Sequence, residues 1–211
     1  MIVFGASLSP YVRKVLAFAA EKGVEVENRP FRFDAPPAEF LEASPFRKIP
    51  GLKDGDFSIC DSSAIVHYIE AKHPEPALIP ADPRERARTI WYEEYADTIM
   101  IAVMGKMFFN RVVAPRFLGR PGDTAVADAA ERDELPVILD YLEGHAPAPG
   151  EFLVGGRLTL ADIAVASPFA NFRHMNIALD RFPRSRAWAD AVLARPSFAT
   201  WIAGEARLLA A

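Results

Sequence analysis

Ile2-Val3-Phe4-Gly5-Ala6-Ser7-Leu8-Ser9-Pro10-Tyr11-Val12-Arg13-Lys14-Val15-Leu16 is the stretch on which the fold of this chain turns. Ile2 to Phe4 are β-branched or aromatic and stop at Gly5, whereas Val12, Val15, Leu16 and Ala19 recur at helical spacing. The stretch predicts strand, loop, helix. Pro10 falls at the first helical position, where a missing N–H is tolerated because it would be unpaired anyway. Ser9 stands just ahead of it, where a hydroxyl commonly caps the helix.

Working outward, Gly23 ends this helix and residues 24–33 alternate as a second strand. Pro36, Pro37 and Glu39 open a short helix through Leu41 and Ala43. Residues 51–53 and 57–60 read as two short strands around Asp54-Gly55-Asp56, and a helix is expected over 61–72. The order βαβαββα predicts a four-stranded mixed sheet with helices on both faces, too small to complete its burial alone. Pro74, Pro76, Pro80 and Pro83 then interrupt helix and mark a stiff linker. Helical periodicity follows at about 84–117, 123–143, 159–177, 183–194 and 197–209. The expected organisation is a first α/β domain over 1–73, a proline-rich linker over 74–83 and an all-α domain over 84–211.

With 211 residues, 51% of them hydrophobic and 25% charged, the chain can bury a full core. A formal net charge of -4 leaves no broad positive field for a phosphate backbone or an anionic membrane, so nucleic acid and membrane are not expected partners. The single cysteine, Cys60, excludes an intramolecular disulfide and a cysteine-based zinc cage, and the four histidines show no metal-ligand spacing. No metal is expected, and the redox context reads as cytoplasmic. MIVFGASLSP has no basic leader, and no uninterrupted apolar run approaches the roughly 18 residues of a membrane span.

Three short motifs carry chemistry. Ser9-Pro10-Tyr11-Val12 occupies the position where thioredoxin-like proteins carry Cys-x-x-Cys, but has no thiol at either end, so dithiol exchange by the protein itself is excluded. A serine hydroxyl there either caps the helix or donates a hydrogen bond to a bound thiolate, which the helix N-terminus also favours. In Ser44-Pro45-Phe46-Arg47-Lys48-Ile49-Pro50-Gly51-Leu52, Pro50 sits at the edge of the third strand and blocks ladder pairing. Ile49 N–H and C=O, turned outward, would pair with an extended peptide as another strand does. Ile59-Cys60-Asp61-Ser62-Ser63-Ala64-Ile65 runs a strand end into a helix whose first turn offers hydroxyls, a carboxylate and free N–H groups. Such a terminus caps itself or binds an anion.

Together these pieces resemble the glutathione transferase family, and the likeness continues into Phe152-Leu153-Val154-Gly155-Gly156-Arg157-Leu158-Thr159-Leu160-Ala161-Asp162-Ile163. The resemblance implies a thioredoxin-like first domain, an all-helical second domain, and glutathione as co-substrate. It implies a cytoplasmic homodimer with a detoxifying activity. Carried over by residue, Ser9 matches the thiolate-stabilising serine, with Ser7 and Tyr11 as alternatives. Ile49 matches the backbone partner of the cysteinyl unit, Pro50 the cis-proline, and Lys48 a basic residue near the glycyl carboxylate. Asp61 and Ser62 match the acid and hydroxyl that hold the γ-glutamyl amine and carboxylate. Asp61 is shorter than the usual glutamate, and Arg47 replaces a small residue.

Leu8, Met104, Phe108 and Phe172, with Met100 and Phe169 near them, are expected to line an apolar pocket for the electrophile, shared between the domains. Glu93, Glu94 and Asp97 read as a solvated acidic face, and Cys60 as a buried, inert thiol. Thr159 and Asp162 have capping-box spacing and are assigned to folding. Two other functions stay open: a ligand-binding or interaction module without turnover, and a glutathione-dependent isomerase.

Overall fold

The computed structural model describes residues 1–210. The chain divides into two compact units, the first comprising Met1–Ala81 with Arg195–Ala211 and the second Asp82–Ala194.

In the first unit, β1 (Ile2–Phe4), β2 (Glu27–Arg29), β3 (Gly51–Asp54) and β4 (Phe57–Cys60) form one sheet in the order β2-β1-β3-β4. β1 runs parallel to β2 and antiparallel to β3, and β3 is antiparallel to β4. The helices of this unit are α1 (Pro10–Glu21), α2 (Ala38–Ala43) and α3 (Ser62–Lys72). α1 and α3 pack on each other, and α2 packs against β3 and β4. Val3, Phe4, Val12, Val15, Leu16, Phe18, Leu52, Ile65 and Ile69 make the core between the layers. The order βαβαββα is observed as the sequence pattern predicts, and it is the thioredoxin-like arrangement that the resemblance implies.

The second strand is shorter than the 24–33 expected. β1 offers three residues, so only Glu27, Asn28 and Arg29 find partners, and Pro30 brings no N–H to extend the ladder. The alternation beyond it serves packing: the Phe31 ring lies 4.4 Å from that of Phe40 on α2.

The second unit is helical. α4 (Pro83–Phe117) contains two π-helical turns, Tyr95–Met100 and Phe109–Val113, and α5, over residues 124–145, contains a third at Ala130–Glu134. α6 (Leu160–His174) is buried along almost its whole length, with α4 and α7 (Pro183–Leu193) packed on it. α4 is long and apolar enough to cross a membrane by length and composition. Within this unit it packs on α6.

The last helix, α8 (Pro196–Ala210), groups with the first unit, whereas the sequence division placed it in the helical domain. It packs on α1. A contiguous reading of composition cannot reveal that return, because a helix declares its apolar face but not the neighbour that covers it.

Candidate active site

The register of the sheet assembles the three motifs. Phe4 is opposite Gly51, and Gly51 is opposite Cys60, so the three residues form one row across β1, β3 and β4. With strands about 4.8 Å apart, that row spans roughly 10 Å. Immediately beyond it, on one end of the sheet, lie the Gly5–Ser9 loop, the Ile49-Pro50 step and the Asp61-Ser62 turn.

Gly5 is the closest point of this assembly. Its φ is +126°, and a Cβ built on it would stand 2.8 Å from Val12 Cγ2 and 2.9 Å from Ile49 Cβ. Only a residue without a side chain lets α1 and the Ile49 segment approach the first loop together. Asn28 braces the loop from the other side, its Nδ2 donating to the carbonyls of Val3 (3.2 Å) and Gly5 (2.8 Å).

Ser9 is the N-cap residue of α1 by backbone position, and its carbonyl accepts from Arg13 N–H at 2.9 Å. Its hydroxyl makes no capping hydrogen bond, and the residue is half-buried. Of the two roles open to Ser9 in the sequence, capping is the one this geometry does not use.

The Ile49–Pro50 peptide is cis. Ser44 holds the preceding turn: its buried hydroxyl accepts from Lys48 N–H (3.0 Å) and donates to Lys48 C=O (2.7 Å). Arg47 takes a positive φ of 56° in this turn, and the Lys48 side chain stands exposed beside the half-buried Ile49.

Asp61 is the N-cap of α3, with φ 77°; its Oδ1 accepts from Ser63 N–H (2.9 Å) and Ala64 N–H (3.3 Å). The side chain is exposed, and Oδ2 takes no part in the cap. Ser62, buried, begins the helix directly behind it. The acid thus caps the helix while one oxygen still faces outward.

The pocket residues divide. Leu8 and Phe108 keep a small exposed surface, Met104 is nearly closed, and Phe172 is 0% exposed with its ring edge-on to Phe169 at 5.5 Å. Phe172 is therefore core of the helical unit and offers no wall to a ligand. Glu93 is also buried, at 2% exposure, so it does not belong to a solvated acidic face. Cys60 is half-buried and free, more open than its strand pattern suggests. Thr159 and Asp162 form the reciprocal capping box expected of them: Thr159 N–H donates to Asp162 Oδ2 at 3.0 Å, and Leu153 N–H donates to Oδ1 at 2.8 Å.

Two ion pairs in the first unit, one buried and one half-buried, were not singled out from sequence. Arg13 on α1 grips Glu205 on α8 through both guanidinium edges, Nε to Oε1 at 3.0 Å and Nη2 to Oε2 at 2.7 Å. At the other end of α1, Glu21 accepts from Arg195 at 2.7 and 2.8 Å and from Ser197 at 2.6 Å. Burial raises the Glu21 carboxyl, but these hydrogen bonds outweigh it and hold it below the usual range. The signal that marks Arg13 is a charge beside the apolar Val12, Val15 and Leu16 of a helix that must be covered.

A cavity of about 650 Å³ opens at the opposite end of the sheet, among Met1, Lys22, Val24, Asp54, Lys72 and Glu75. It lies away from the three motifs and has no part in their chemistry. Among the described residues, no group of His, Cys, Asp and Glu is arranged to hold a metal ion.

A thioredoxin-like sheet with a cis-proline directly ahead of its inner strand β3, joined in one chain to an all-helical unit, defines a glutathione-binding class of fold. The chain belongs to the glutathione transferase family. Residues 3–77 match the glutathione S-transferase N-terminal domain and residues 114–205 the C-terminal domain. A glutathione S-transferase of Hyoscyamus muticus is 29% identical over 94% of this chain and 95% of its own length. Glutathione S-transferase 4 of Zea mays is 32% identical over 92% of this chain and 88% of its own. Among solved structures, a glutathione S-transferase of Methylobacterium radiotolerans in complex with glutathione sulfonate is 27% identical. It superposes with a TM-score of 0.76 over 95% of this chain and 93% of that one.

Proposed function

We propose that this glutathione transferase activates its co-substrate through Ser9. The observation that carries the reading is a hydroxyl at the mouth of α1 that is not spent on capping, set at the same sheet end as Ile49, Pro50, Asp61 and Ser62. Glutathione would lie across the sheet end where the Ile49-Pro50 step enters β3, its cysteinyl unit pairing with the Ile49 backbone ahead of the strand. Its glycyl carboxylate would approach Lys48. Its γ-glutamyl amine would meet Asp61 Oδ2, and its γ-glutamyl carboxylate the α3 N-terminus at Ser62.

A thiol with pKa about 8.5 is only a few per cent ionised at neutral pH; bringing it to about 6.5 needs about 2.7 kcal/mol. One charge-assisted hydrogen bond from Ser9 together with the α1 dipole is of that size. The thiolate then attacks an electrophilic carbon, adding to it or displacing a leaving group that departs with the bonding pair. Leu8, Met104 and Phe108 are the residues proposed to favour a small apolar electrophile. The reaction is assigned to the cytoplasm and to a homodimer.

Ser9→Ala tests this. Glutathione affinity by calorimetry should change less than about three-fold, because the peptide edge and the α3 terminus remain. Turnover of an activated aryl halide should fall about 10- to 100-fold, the worth of one hydrogen bond to a charged atom. Full activity in the variant would reject Ser9 and turn attention to Ser7 or Tyr11. Glutathione binding in the wild type without turnover of aryl halides, enals or peroxides would instead favour a ligand-binding module. Turnover confined to double-bond isomerisation would favour the isomerase.

A further inference from the structure

A helix that carries a catalytic hydroxyl at its N-cap faces a conflict. The hydroxyl that usually ties down the first turn, worth about 1 kcal/mol, is withheld here for the ligand. Ser9 makes no such bond, and the first turn of α1 has no acidic side chain to substitute. Pro10 restricts the backbone at one position but has no N–H to donate. A hold on the turn from a neighbouring helix therefore matters more than usual.

Arg13 is placed to do this. It lies one helical turn beyond Ser9 and is joined to it through the backbone bond from its N–H to Ser9 C=O, 2.9 Å. Its side chain is 0% exposed and is held on two parallel bonds by Glu205 of α8, itself 2% exposed. A planar fork on a carboxylate fixes direction as well as distance, which a single-point contact does not. The two side chains carry no net charge between them, so the effect ascribed to them here is one of geometry. The second clamp, Glu21 with Arg195 and Ser197, ties α1 to the start of α8 at the far end of α1, more than three turns away from Ser9. It supplies a control at the other end of the helix.

We propose that Arg13 is a positioning residue for Ser9, and that Glu205 on the C-terminal helix is its anchor, so that α8 is part of the apparatus that activates the glutathione thiol. The inference rests on the reading of Ser9 as the thiolate donor.

The experiment follows the ultraviolet thiolate band of bound glutathione across pH, which needs no knowledge of the electrophile. Three proteins are compared with wild type. Arg13→Met with Glu205→Met removes both charges together. Arg13→Lys keeps the pair neutral but loses the two-pronged grip. Glu21→Met with Arg195→Met opens the far clamp. The first should raise the apparent pKa of the bound thiol by about one pH unit, ten-fold in the ionisation constant, while glutathione affinity holds within about three-fold. Arg13→Lys should move it the same way by about half as much. The far-end variant should lower the melting temperature yet leave the thiol titration at its wild-type position.

An unchanged titration in the Arg13 variants, or equal shifts at both ends of α1, overturns the proposal. If the double methionine variant does not fold, Arg13→Lys decides the matter by the same criterion. A wild-type protein that binds glutathione without any thiolate band overturns the Ser9 reading itself. That failure is distinguishable because it appears before any change at Arg13 is made.

Discussion

At Gly5 a single hydrogen atom in place of a methyl group sets how closely the first loop, α1 and the Ile49 segment can meet. Gly5→Ala must place a Cβ under 3.0 Å from both Val12 and Ile49 in a backbone conformation that L side chains rarely adopt. We expect a loss of about 2–4 kcal/mol in stability and a weakening of glutathione binding, read by thermal melting and calorimetry. Gly55→Ala is the contrast. Its φ is +64° with nothing within 4 Å, so it should cost about 1 kcal/mol and leave glutathione affinity unchanged. Equal loss of affinity in both would show that Gly5 matters only for stability. Much at this scale was legible in the sequence. Ser9, Pro50 and Asp61 each sit at an element boundary, and boundaries announce themselves through Pro, Gly and capping residues. Phe172 and Glu93 were not legible, because a side chain's type does not say whether a neighbour closes over it.

At the scale of single elements, the capping box of α6 is the sharpest case. Asp162 is buried, and burial raises its carboxyl pKa to about 6, against hydrogen bonds from Leu153 and Thr159 that pull it down. The unfolded value is about 3.9, so the folded chain binds this proton more tightly. The stabilisation from that proton is greatest at and below pH 4 and is lost as pH rises towards and past 6. Asp162→Asn cannot titrate. The stability advantage of wild type over Asp162→Asn should therefore be largest near pH 4 and shrink by about 2–3 kcal/mol towards pH 7, measured by urea unfolding. A difference independent of pH would contradict the raised carboxyl. The cap itself could be read from the Thr-x-x-Asp spacing alone. Its titration could not, since that depends on how much of α6 is covered. The π-helical turns in α4 and α5 were likewise not read from the sequence, because a single i→i+5 turn carries no residue signature of its own.

Across the whole molecule, the chain's last helix returns to its first unit and covers α1. Ending the chain at Ala194 would bare the buried Arg13 and the face of α1 that α8 covers. The lost ion pair with Glu205 and the newly exposed apolar face of α1 should destabilise the first unit by several kcal/mol. Hydrogen exchange should then show protection lost in α1 and the sheet while α6 keeps its own. Loss confined to the helical unit would place α8 where the contiguous division of the sequence put it.

Element order, the sheet's composition, the helical second unit and the residues at the mouth of α1 were determined by the sequence itself, through local rules of period, punctuation and capping that act within a few positions. What only the tertiary structure decided is which surfaces meet: the row of Phe4, Gly51 and Cys60 that gathers the site, the closure over Phe172, and the grip of Glu205 on Arg13. Those contacts join residues up to 192 positions apart. No local preference encodes them, because their energy exists only once the intervening chain has folded and excluded water from both partners.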